Sequence, residues 1–168
     1  MRLNSPASMM ALGGILAALA VTVMSMGTLI PVATYVCPVI CMLLLQMVLK
    51  TCGKRTAWAW YAAVAILSLL MAPDKEAAIV FCVLGCYPIL KVWMDQRKGK
   101  WLWKAVFFNV SILMAYWLML NVLGLEQVVK DLNESGILLS VVLLVLGNVT
   151  FFLLDRLLTL GLRMRKGR

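Results

Sequence analysis

Long apolar runs alternate along this chain with short clusters of polar and basic residues. Six runs stand out, at about 9–30, 32–49, 56–71, 76–93, 102–123 and 136–158. The first ends at Pro31, the second contains Pro38, the third is stopped by Pro73, and the fourth carries Pro88 within it. A helix that crosses a bilayer needs about 20 consecutive apolar residues, so each run fits one crossing. The third is short, a mismatch that local bilayer thinning or burial among neighbours accommodates. The pattern predicts an all-α polytopic membrane protein: six transmembrane helices in one bundle, forming a single domain over 1–168. The first run, about 22 residues, exceeds the roughly 7–15 of a signal-peptide core, and no small-x-small cleavage site follows it, so it reads as a mature helix.

Composition sharpens the solvent assignment. Hydrophobic residues make up 64% of the 168, against about 45–50% in an average soluble domain. So short a chain has no room to bury that excess in one aqueous core. The formal charge of +9 would point to nucleic acid in a soluble protein, but here the basic residues lie between apolar runs. They read as topology signals and anionic-lipid contacts, and no nucleic-acid partner is expected.

Counting charges by connection orients the chain. Arg2 precedes the first run; Lys50, Lys54 and Arg55 follow the second. Lys91, Arg97, Lys98, Lys100 and Lys104 lie around the fourth connection, and Arg156, Arg163, Arg165, Lys166 and Arg168 close the chain. Only Lys75 and Lys130 of the sixteen basic residues fall on the opposite side. The positive-inside rule then puts both termini in the cytoplasm of a multi-pass protein of the bacterial plasma membrane. Acids segregate the other way, with Asp74, Glu76, Glu126, Asp131 and Glu134 outside and Asp95 and Asp155 inside.

Some residues carry candidate roles beyond spanning. In the first run Gly13, Ala17 and Ala20 form one small-residue stripe, and Gly14 with Ala18 lies beside it. Such stripes let helix backbones approach closely in lipid, either within the chain or against a partner. Asp74 and Glu76 stand at the outer face where the fourth helix begins, a place where carboxylates favour the helix dipole. Pro88 should kink that helix and free carbonyls one turn before Lys91. Asp155 sits in the apolar stretch after Phe151, where a charge is costly and usually paired. Lys91 is its expected partner, forming a structural latch. Asn109 and Asn148 are expected to hydrogen-bond between helices.

There is no histidine among the residues, which removes the commonest general base and metal ligand. No nucleophile elbow, P-loop or histidine metal motif occurs, so neither enzyme activity nor a cofactor is expected. Cys37 with Cys41, and Cys82 with Cys86, lie one helical turn apart. Thiolates suit soft metals such as Cu(I), although cysteine is equally a small buried hydrophobe.

The segment GGILAALAV of the first run resembles the first helix of the substrate-binding S components of energy-coupling factor transporters. The plan of six helices and cytoplasmic termini is similar too. PDKEAA, GCYPILK and FFLLDR look like segments of a group of small, S-component-like Firmicute membrane proteins. The resemblance implies that Gly13, Gly14, Ala17 and Ala18 dock a transmembrane coupling subunit, which works with two ATPases. It also implies capture of a vitamin or metal outside the cell. Two departures keep other classes open: the loop after the first helix is short, and the outer half offers few polar groups. The alternatives are a membrane scaffold similar to the rod-shape protein MreD, which transports nothing, and a soft-metal carrier using the four paired cysteines.

Overall fold

The computed structural model describes residues 6–27, 33–96, 99–122 and 136–163. These form seven helices and, among the described residues, no strand: α1 (Pro6–Ser25), α2 (Ala33–Cys52), α3 (Lys54–Met71), α4 (Lys75–Leu84), α5 (Tyr87–Met94), α6 (Lys100–Val122) and α7 (Gly136–Arg163). The fold is all-α. Among the described residues three segments, Ala7–Ser25, Thr34–Cys52 and Lys75–Met94, are long and apolar enough to cross a membrane. The expected end of the first helix near residue 30, the acids Glu126, Asp131 and Glu134, and the basic residues Arg2, Arg97, Lys98, Lys130, Arg165, Lys166 and Arg168 lie outside the described residues.

Several boundaries differ from the hydrophobic pattern; the last helix, for one, runs to Arg163. α2 and α3 run three and two residues past their apolar limits, until only Gly53 separates them. Gly53 has φ 87°, a left-handed backbone that glycine adopts without a Cβ clash. The expected fourth helix is two helices with a break at Gly85–Cys86. Pro88 therefore kinks nothing; it falls in the first turn of α5, where an absent N–H costs no helical bond.

The chain divides into two compact units, residues 1–100 and 101–168. In the first, α1 packs on α2 and α3, which both also pack on α4 and α5. Cross-helix hydrogen bonds to backbone carbonyls set the directions. Cys52 Sγ donates to the Met9 carbonyl and Cys41 Sγ to that of Ala20, both at 3.5 Å, so α1 and α2 are antiparallel. Lys75 Nζ reaches the Leu69 carbonyl at 2.8 Å, and the Tyr61 hydroxyl donates to the Cys82 carbonyl, so α3 and α4 are antiparallel as well. Much of the core is made of small side chains: Ala20, Ala57, Ala65, Ala72, Ala77 and Ala78 are buried. Phe81, Tyr87, Met24, Met42 and Leu45 fill the rest of it. Other large side chains face outward: Met10 is 76% exposed, Leu70 74% and Ile15 67%, a surface that water would not tolerate and lipid tails would.

In the second unit, α6 and α7 pair along an aromatic seam. Phe108 stacks on Phe151 with ring centroids 4.6 Å apart, and Trp101 meets Phe152 at 4.1 Å. Gly147 makes room, since a Cβ there would already touch the Phe108 ring at 3.6 Å.

The break is sterically fixed by Gly85. A Cβ at this position would come within 2.3 Å of the Phe81 carbonyl oxygen and 2.9 Å of the Phe81 ring. Gly85→Ala is expected to destabilise the protein by about 2 kcal/mol through forced backbone displacement, measured as the shift in unfolding free energy in mixed micelles. An unchanged midpoint would mean the break relaxes freely.

Candidate docking face and buried polar groups

α1 presents two faces made largely of small residues. On the inner one, Gly13, Leu16, Ala20 and Met24 are buried and Ala17 is half-buried. The Gly13 carbonyl accepts a hydrogen bond from Trp60 Nε1 of α3 at 3.0 Å. The outer face carries Ala7, Ala11, Gly14, Ala18, Thr22 and Ser25, all exposed. Their spacing of three and four residues is the spacing of one helical face. Thr22 and Ser25 turn their hydroxyls back to the carbonyls of Ala18 and Val21, each at 2.9 Å, so the groove presents methyl and methylene surface. Met10, Ile15 and Leu19 stand exposed around it.

The four residues expected to dock a partner are thus divided. Gly13 and Ala17 belong to the inner face, and Gly14 and Ala18 to the outer. A Cβ on Gly14, as on Gly13, would meet nothing within 4 Å among the described residues. In a helix interior glycine costs about 1 kcal/mol against alanine.

The second candidate lies at the break between α4 and α5. Ile89 and Leu90 both donate to the Cys86 carbonyl, so α5 begins a new ladder rather than continuing that of α4. The carbonyls just before the break find other donors. Cys82 receives the Tyr61 hydroxyl and Val83 the Cys86 thiol at 3.6 Å. One turn on, Lys91 is 1% exposed, and its ammonium stands 5.9 Å from the centroid of the fully buried Tyr87 ring. Ring quadrupole and cation attract in that geometry, easing the cost of a charge among apolar side chains.

Asp155, on α7, is held from α6. Lys104 Nζ donates to its Oδ1 and Oδ2 at 3.1 and 3.0 Å, with side-chain exposures of 7% and 16%. Further up the same pair of helices Asn109 Nδ2 donates to the Ala105 carbonyl at 2.8 Å and to Asn148 Oδ1 at 3.4 Å. Sequence reasoning gave Asp155 to Lys91 and missed Lys104, which it had counted as a topology residue. The signal was present: Lys104, Phe108, Ser111 and Ala115 recur at helical spacing, and all four are buried.

Of the outer acids, Asp74 is the N-cap of α4, accepting from the Ala77 N–H at 3.1 Å, and Glu76 sits in the first turn. The Asp74 side chain also closes on the end of α1, since a Cβ on Gly27 would stand 3.3 Å from its Oδ2. All five cysteines are free. Cys37 and Cys41 are buried on α2, and Cys82 and Cys86 are half-buried beside the break. Among the described residues no three Cys, Asp or Glu side chains gather as a metal site requires.

No protein-family model matches the chain, and no curated protein or solved structure does.

Two measurements test these polar groups. Lys104→Met should cost about 3 kcal/mol by stranding the Asp155 carboxylate, and adding Asp155→Leu should recover more than half. A double variant no better than the single one would show that the pair matters for more than charge balance. Tyr61→Phe should cost about 1 kcal/mol by removing the donor from the Cys82 carbonyl; equal stability would mean another donor takes its place.

Proposed function

We propose that this chain is an S-component-like integral membrane protein. It crosses the plasma membrane six times with both termini in the cytoplasm, and captures a small molecule outside the cell for an ATP-driven uptake complex. The observation that carries the reading is the outer face of α1, where Gly14 and Ala18 lie exposed in a continuous small-residue stripe. In lipid, where tails are as apolar as leucine, close backbone approach drives helices together, and small residues permit it. An exposed glycine whose Cβ position is open among the described residues suits a helix of another subunit, the role that the family resemblance gives to this helix.

The partner in this reading is a transmembrane coupling subunit working with two ATPases. The protein itself performs no catalysis; it recognises a solute and presents it.

Affinity purification from the native host in mild detergent, followed by mass spectrometry of proteins and small molecules, tests the proposal. Co-purification of a membrane subunit with two ATPases is expected, and Gly14→Leu or Ala18→Leu should reduce the recovery about tenfold, the effect of losing roughly 1.4 kcal/mol of helix packing. Recovery of cell-envelope assembly proteins without ATPases or solute would replace the transporter with a scaffold.

A further inference from the structure

The first unit is electrically asymmetric. The end of α2, the start of α3 and the end of α5 lie at one extremity, since α2 and α3 meet through Gly53 and α3 and α4 are antiparallel. This extremity carries Lys50, Lys54 and Arg55 within six consecutive residues, with Asp95 the acid described there. Lys54 and Arg55 are exposed, and neither forms an ion pair with a described residue. One turn into α3, Trp58 is 39% exposed and packs edge-on against Tyr61; at the end of α5, Trp93 is 45% exposed. The opposite extremity carries Asp74, Lys75 and Glu76.

We infer that the α2–α3 turn is a docking surface for anionic phospholipid headgroups, with Lys54 and Arg55 meeting the phosphates and the Trp58 indole seated at headgroup depth. Charge complementarity selects the occupant. Unpaired cations at the end of apolar helices face a surface whose own charge is negative, and each basic residue there adds a comparable increment of attraction. An indole is amphipathic and favours the same interface. Arginine brings the planar fork that grips a phosphate bidentately, while lysine acts as a point charge. The apolar flanks, with Ile66 and Leu70 exposed further along α3, supply surface for the acyl chains. This inference rests on the membrane reading alone and does not need the transport role.

Native mass spectrometry of the full chain in detergent, titrated with phosphatidylglycerol or phosphatidylcholine, tests it without reference to leaflet or partner. The wild-type protein should bind phosphatidylglycerol about tenfold more tightly than phosphatidylcholine. The Lys54→Gln/Arg55→Gln variant should lose about thirtyfold in phosphatidylglycerol affinity, and the charge-preserving Lys54→Arg/Arg55→Lys should keep most of it. Soluble glycerol phosphate at millimolar concentration should displace nothing. Equal binding of the two lipids, or an unchanged preference in the glutamine variant, would overturn the inference. Displacement by glycerol phosphate would overturn the lipid in favour of a soluble phosphate-bearing solute.

Discussion

Every backbone N–H and carbonyl within a bilayer must find its partner inside the protein, because the solvent supplies none. Much of the first unit follows from that demand. Where α4 gives way to α5, the released carbonyls are taken up by a tyrosine hydroxyl and a thiol. Where α1 approaches α3, an indole N–H supplements the Gly13 carbonyl. Cysteine serves repeatedly as a weak donor small enough to fit between helices, as at Ala20 and Met9. The cysteines thus read as packing residues with a hydrogen-bonding edge, and their helical pairing follows from the faces they occupy.

Close packing supplies the remaining cohesion. Between helices in lipid the hydrophobic effect has little to act on, so contact area at short range must do the holding. The alanines at the interfaces of α1, α3 and α4 bring backbones together, and larger side chains such as Phe81, Tyr87 and Met42 fill the space between the helices. Among the described residues Lys104 is matched with Asp155, and Lys91 stands beside the Tyr87 ring.

Helix existence was legible in the sequence because an apolar run of membrane length has few other meanings. The ends were less so. The pattern stops α2 before the first lysine, but the helix takes Lys50 into its last turn and continues to Cys52. The break at Gly85 was hidden because Pro88 is the louder signal; only the Phe81 contact explains why the glycine, three residues earlier, decides the place. The two small-residue stripes of α1 were visible, but their assignment to inside and outside depends on where α2 and α3 lie. Lys104 was overlooked for a similar reason. Its position at the edge of an apolar run reads as a boundary mark until α7 is seen to place a carboxylate beside it.

The one-residue connection at Gly53 has a consequence for biogenesis. In the proposed topology α2 and α3, with no slack between them, would enter the bilayer as a hairpin. The three cations at its tip would then set the direction of two segments in a single event. Reversing the hairpin would drag all three through the hydrocarbon together, a cost that rises with each charge carried. A longer, more flexible turn would let each helix be sorted independently, and would make the insertion of each one a separate opportunity for error.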